Sequence, residues 1–398
     1  MQMLSGLGRT RYVPLVILFT LAILQSCKKN PKEMSREELE SHLSAEKHYS
    51  KLLEISKAAG INVEKFAATG EKAPVFALLE EAGFGHKPDL RYTEKKIKAD
   101  TTLLREVAEE LVKGESVEKV MAKLEPVYPV YNNLKVHYAR LVKENKQDSA
   151  AVVAETLNAY RWIKRQSKGA PRVVMVNIRG AYLTAMDSAG QNVLRMRTVV
   201  GKSDTQTPTM DTYATSIVTH PYWNVPKSIA IKEMFPKAAS DPEYLSRNRI
   251  EIIDNKGQAV NPEEIDWEEL TAEKFPYRFR QETGEDNSLG LLKVEIKNPL
   301  AIYLHDTNAR YLFKSNSRWR SHGCVRVQQP TDLANYMAGT KLLDNDFMTE
   351  PDTVSTPPKW HKLKARIPVF LLYLGADCNE KGDLLYFEDV YKKGSPKV

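Results

Sequence analysis

Two short stretches hold the side chains with the most reactive potential. In Ser321-His322-Gly323-Cys324-Val325-Arg326 a thiol directly follows a His-Gly pair, and His305, ending the apolar run LAIYLH, is separated from Ser321 by fifteen residues. A cysteine attacks as its thiolate, so it needs a nearby base or positive charge and an exposed turn. An imidazole touching Cys324 would take its proton and leave a thiolate–imidazolium pair. Gly323 permits a backbone shape, or a close substrate approach, that a side chain would block. Backbone N–H groups in this turn could receive an oxyanion, and Arg326 could grip a carboxylate through paired hydrogen bonds. The set suits acyl transfer through a thioester. A zinc site made of His305, His322 and Cys324 is the competing arrangement, but no fourth ligand stands at a fitting spacing. No metal and no cofactor is expected.

The elements that must position these groups fall into two textures. From Met34 to Gln166 the chain is helical and rich in Lys and Glu, with a Ser35/Glu38 capping box ahead of LESHLSAEKHYSKLLEISKAAG. Further helices are expected from Thr101 to Lys113, over SVEKVMAKLE, over YPVYNNLKVHYARLVKEN, and over DSAAVVAETLNAYRWIKRQ with Asp148 as its cap. Leu134, Tyr138, Leu141 and Val142 form one core-facing stripe at helical spacing. After SKGAP the pattern turns to short β-rich runs: RVVMVNI, NVLRMRTVVG, YATSIVTH, LAIYLHD, IPVFLLYLG and GDLLYFEDVY. DSAGQ marks a hairpin between the first two. Between about 228 and 281 the texture is helical, irregular and acidic, an insertion placed to cover a cleft. The fold class is therefore α+β: a helical scaffold over 28–170, then a β-rich catalytic domain over 171–398.

At the N-terminus Arg9 and Arg11 precede the apolar run YVPLVILFTLAIL, which ends in Leu24-Gln25-Ser26-Cys27. That is the shape of a secretory signal, and it resembles a lipoprotein signal whose cleavage leaves Cys27 carrying lipid. Residues 1–27 read as signal, and the body as exported, membrane-anchored and facing the periplasm. Of three cysteines, Cys27 is then assigned to lipid and Cys324 is expected free rather than bonded to Cys378. The net charge of +7 is modest for 398 residues, and no arginine-rich arm or zinc-finger spacing points to nucleic acid.

The pattern H-x15-S-H-G-C-V-R resembles the signature of the L,D-transpeptidase catalytic domain of YkuD type. TPTMDTYATSIVTHPYWNVPKSIAIKEMFP, RFRQETGEDNSLG and YLHDT are similar to segments of its large, scaffold-bearing YcbB-like branch. The resemblance implies Cys324 as nucleophile and His305 as general base, oriented by the backbone carbonyl of Asp306. It places Tyr303, His322 and Gly323 at the oxyanion site, with Ser321 in the same loop. Arg326 then falls on a substrate contact and Trp223 along the cleft. It further implies cross-linking of peptidoglycan stem peptides, a donor tetrapeptide and an acceptor stem, into 3→3 links with release of D-alanine. Water as acceptor would make the same chemistry a carboxypeptidase, and a protein lysine would make it a wall-anchoring enzyme. A non-catalytic wall-binding lipoprotein is the alternative from another class.

Overall fold

The computed structural model describes residues 29–44, 46–67, 73–241, 243–271, 274–349 and 356–394, so Cys27 lies outside the described residues. The helical part comprises α1 (Arg36–Leu43), α2 (Glu46–Ala58), α3 (Val75–Phe84), α4 (Thr101–Val112), α5 (Val117–Leu124), α6 (Pro129–Lys143) and α7 (Gln147–Ser167). The capping box forms: Ser35 Oγ accepts from the Glu38 N–H, and Glu38 accepts from the Ser35 N–H. The run expected after it as one helix forms two, α1 ending at Leu43 and α2 beginning at Glu46, with Ser44 Oγ donating to the Glu40 carbonyl at 2.6 Å. Asp148 is not a cap but the second residue of α7, where its charge still complements the helix dipole. In α6, Leu134 and Leu141 are buried as expected, whereas Val142 is exposed.

The β-rich part opens with β1 (Tyr92–Thr93), which reaches it from within the helical region, and continues with β2 (Arg172–Asn177), β3 (Tyr182–Asp187), β4 (Asn192–Gly201) and β5 (Met210–Thr219). The DSAGQ turn joins β3 to β4, with the Asp187 N–H donating to Gln191 O and Gly190 at φ +77°; the hairpin expected between RVVMVNI and NVLRMRTVVG is corrected by the unread strand β3 between them. An excursion follows, built from β6 (Trp223–Asn224), β7 (Ile250–Ile253), β8 (Ala259–Val260) and β9 (Arg278–Gln281). The chain then returns through β10 (Leu292–Ile296), β11 (Tyr303–His305), β12 (Trp319–Ser321), β13 (Val325–Val327), β14 (Lys359–Leu372), β15 (Ala376–Cys378) and β16 (Leu384–Tyr386). The order β5-β10-β11-β13-β4-β3-β2-β14 closes on itself, because β5 bonds β10 on one edge and β14 on the other.

Period-two alternation explains how this barrel carries two cores. Val174 and Val176 of β2, with Val369 and Leu371 of β14, point into the barrel. Their neighbours Val173, Met175, Phe370 and Leu372 point outward, against Tyr131, Leu157, Trp162 and Ile163 of α6 and α7. Strands covered on both faces read as unbroken apolar runs, which is the pattern of RVVMVNI and IPVFLL. Trp162 Nε1 also donates to Asp211 Oδ2 at 2.8 Å, tying α7 to β5.

The excursion is a cap with its own core of Met234, Leu245, Ile250, Ile252, Phe275 and Phe279. Helical turns run through 227–240 and 243–247, as the texture suggests, and the sheet ordered β6-β9-β7-β8 is what that reading misses. The cap also starts earlier than 228, since Trp223 pairs with Gln281. Strands of two to four residues are too short for alternation to show in the sequence.

Candidate active site

Three strands lay out one row of side chains. In the antiparallel pair β10–β11, Lys293 stands opposite His305; in the parallel pair β11–β13, His305 stands beside Arg326. Tyr303, two residues before His305, lies on the same face, with ring centroids 5.5 Å apart. Lys293 Nζ sits 4.2 Å from the Tyr303 ring centroid and 2.6 Å from Glu295. Cys324 occupies the turn between β12 and β13, where Gly323 has φ +122°, a conformation open to glycine and strained for other residues.

That turn is held from several sides. Ser321 Oγ donates to Cys324 O at 2.6 Å and accepts from the Gly323 N–H at 3.1 Å. Thr205 Oγ1 donates to Ser321 O, and Thr207 Oγ1 to Gly323 O at 2.8 Å. Ser321 is thus the clasp of its own loop. Gly323 is expected at the oxyanion site, but its N–H is already engaged by that clasp. On the opposite wall, Asn298 makes four hydrogen bonds, to Ile296 O, Ile302 O and the N–H groups of Leu300 and Ile302. They fix Ala301 at φ +55°, and its carbonyl accepts from the Cys324 thiol at 3.7 Å. A non-glycine residue in that region persists only when its surroundings over-determine it.

Electrostatics sets the resting state. Burial pushes the Cys324 thiol up to about 11, opposed by the backbone and hydroxyl of Tyr303, which hydrogen-bond to the sulfur, and then by Lys293 and Arg326. Burial likewise pushes His305 down to about 3, helped by Arg326 and Lys293 and opposed by the backbone of Asp306. His305 Nδ1 is buried without a hydrogen bond of normal geometry. Both shifts favour a neutral thiol and a neutral imidazole over the ion pair that contact between them would give. Tyr303 is raised well above the usual phenol range, chiefly by burial, and a hydrogen bond from Trp223 opposes the rise. Trp223, Tyr303 and Cys324 form a relay of donors ending on the sulfur.

The remaining expected residues divide. The Asp306 side chain is buried and structural: it accepts from the Leu291 N–H at 3.0 Å and from Arg310 at 2.7 Å. Arg326 leans on Thr307 Oγ1 at 3.3 Å, with its Nε unpartnered. His322 points away from the row, toward the cap, with Nε2 2.7 Å from Glu233 Oε1. Glu233 lies in the π-helical turn Ala230–Met234. Such a turn is often found at functional positions. The cleft measures about 430 Å³ and joins Cys324, Tyr303 and His305 to Trp223, Lys232 and Glu233 of the cap. Cys324 and Cys378 are both free. Among the described residues no three His, Cys, Asp or Glu side chains cluster as metal ligands would.

Lys293, Asn298, Thr205 and Thr207 escape a motif-based reading. Only Lys293 carries a local signal, an alternating LKVEI run that aims it to the same side as Glu295.

Family comparison bears on the segment that carries the Cys324 loop and the His305 strand. Residues 171–356 match the family model YkuD, the L,D-transpeptidase catalytic domain. A Haemophilus influenzae protein bearing a provisional L,D-transpeptidase name is 37% identical over 206 residues, which are 51% of this chain and 40% of the relative. The chain thus spans well under half the length of that relative. Among solved structures, an L,D-transpeptidase from Mycobacterium smegmatis is 12% identical, with a TM-score of 0.25 over 51% of this chain and 59% of the other. L,D-transpeptidase 1 of Mycobacterium tuberculosis is 12% identical, with a TM-score of 0.19 over 51% and 61%.

Proposed function

We propose that this chain is an exported L,D-transpeptidase that joins peptidoglycan stem peptides through a thioester on Cys324. The observation that carries the reading is the convergence on one sulfur of the Tyr303 N–H and O–H, with His305 on the same strand. The Cys324 sulfur attacks the carbonyl at the L-centre of the third residue in a donor tetrapeptide. Because thiol and imidazole are both neutral at rest, the proton passes to His305 as the C–S bond forms. The charge growing on sulfur and oxygen then offsets the burial that keeps His305 neutral. As the sulfur loses its negative character, the Tyr303 hydroxyl is the donor placed to turn to the oxyanion. Collapse expels D-alanine, which takes the proton from His305. The side-chain amine of an acceptor stem then attacks the thioester, giving a 3→3 link and regenerating the thiol.

The cap supports an acyl acceptor other than water, since Trp223, Ile229 and Met234 wall the cleft with apolar surface. Lys232 and Arg326 supply positive charge for a peptide that carries carboxylates. The test is the mass of the intact protein after incubation with a carbapenem. One drug-sized increment is expected on the wild type and none on Cys324→Ala; an increment on the variant rejects Cys324 as nucleophile. Digested walls from cells with the active enzyme should contain 3→3 dimers that the Cys324→Ala strain lacks. The Leu24–Cys27 stretch supports a lipid anchor on Cys27, so Cys27→Ala should lose metabolic lipid label and leave the membrane fraction. Label retained at wild-type intensity would remove that assignment.

A further inference from the structure

A cavity of about 820 Å³, larger than the cleft at Cys324, lies where the helical region meets the barrel. Its base is α7, through Ala154, Glu155, Asn158 and Arg161; its apolar walls include Ile61, Phe66, Leu372 and Leu374. The backbone is shaped to form it. Gly85, at φ +58°, passes so close to α7 that a Cβ would stand 2.5 Å from Asn158 Oδ1. The Asn158 amide in turn holds His86 by both backbone groups, at 3.0 Å each. None of its lining residues belongs to the catalytic cleft.

Two groups in this cavity lack a charged partner. Arg161 is only 1% exposed, yet its guanidinium bonds neutral acceptors alone, Ala59 O at 3.0 Å and the Tyr131 hydroxyl at 3.1 Å. Its Nε has no partner, and no carboxylate among the described residues forms an ion pair with it. Glu81, the acid that feels its charge, is committed to His86 at 2.7 Å. A buried cation without a counterion is costly, and the missing term is an anion. Glu155, one turn and a half along α7, makes no hydrogen bond or ion pair. Burial pushes it up to about 7, with Asp89 acting in the same sense and Arg179 and Lys393 against it. Its carboxyl is thus partly protonated near neutral pH and able to meet an amide.

We propose that this cavity is a second binding site, taking the carboxylate end of a short peptide, with Arg161 as the carboxylate's partner and Glu155 facing a backbone amide. An anion alone would satisfy Arg161 but leave Glu155 and the apolar walls without contacts; a neutral peptide would leave Arg161 unpaired. The volume is that of a small-molecule site and admits two or three residues. Capture of a terminal carboxylate is a recurring mode of peptide recognition. The inference stands whether or not Cys324 performs transpeptidation.

The test is calorimetric titration of the full chain with N-acetyl-Ala-Ala, with its C-terminal amide, and with inorganic phosphate. Cys324 is capped beforehand with iodoacetamide to close the catalytic thiol. The free acid should bind, and the amide should bind about tenfold more weakly, as expected for loss of a charged hydrogen bond. Arg161→Gln should weaken the acid by about the same factor. If that variant does not fold, Lys65→Glu combined with Lys393→Glu on the exposed rim should produce the loss instead. Equal binding of acid and amide would overturn the proposal. So would phosphate binding as tightly as the peptide, which would mark an anion site only. Binding that disappears on capping Cys324 would place the peptide in the catalytic cleft and overturn it as well.

Discussion

The nucleophile loop and the cap meet at one cleft but are held by different means. Residues 321–324 are clasped by the Ser321 hydroxyl and pinned to the 205–207 segment by two threonines, all through bonds to backbone atoms. The cap instead folds on a separate apolar cluster, and its polar link to that loop is the part-exposed contact between Glu233 and His322. Bonds to backbone fix atomic positions and tolerate little change; a part-exposed ion pair across two separately packed units is weak and reversible. The division suits a site whose reacting atoms must stay in place while its roof admits a bulky substrate.

Substitutions that break one side of this contrast should differ in size. The largest effect is expected for Ser321→Ala, which leaves Cys324 O and the Gly323 N–H without their clasp. Carbapenem acylation should slow by about 100-fold, the usual cost of misplacing a reacting atom by an ångström. The protein should also lose about 2 kcal/mol of stability, from two buried hydrogen bonds. Acylation at the wild-type rate would show that the threonines alone hold the loop.

A smaller, pH-dependent effect sharpens the electrostatic side. With the thiol raised to about 11, iodoacetamide alkylation of Cys324 should climb with pH up to that value and show no step near neutrality. Lys293 favours the thiolate, so Lys293→Met should shift the alkylation profile to higher pH and slow the reaction several-fold at pH 8. Lys293→Arg should restore most of the rate. An unshifted Met profile would remove Lys293 from the activation of the thiol.

The smallest effect belongs to the cap. Glu233→Gln should alter acylation by about twofold to fivefold, the scale of a part-exposed pair, while leaving the melting temperature unchanged. A loss as large as that of Ser321→Ala would mean that the cap is fixed as firmly as the loop, and the contrast would fall.

The legibility of the sequence follows the same line. The meeting of Cys324 and His305 in one cleft could be read because the pattern that holds them has rare neighbours at a fixed spacing. β2 and β14 could be read because two covered faces produce unbroken apolar runs. By contrast, the structural role of Asp306 could not, since it depends on Arg310 and on a turn at Leu291 that only the folded chain brings together. Nor could the engagement of Gly323 by Ser321, because a hydroxyl's choice between ligand and backbone leaves no periodic trace. Lys293 reaches His305 through strand register, a property of pairing rather than of local sequence. The helical turns of the cap were legible, but its strands were not, because they are shorter than one readable alternation.

Closure of the barrel also bears on how the chain folds. Val369 of β14 pairs with Val174 of β2, and Leu371 with Met210 of β5, so the ring is completed by contacts far apart along the chain. Such topology folds slowly, since distant segments must meet before their contacts repay the lost entropy. Until residues 359–372 have emerged, β2 and β5 keep unpaired edges, and β13, which carries the loop of Cys324, has no finished wall behind it. A nascent or truncated chain is therefore an aggregation hazard before it is a reactive thiol. The surroundings of Cys324 are completed late, with the last long strand.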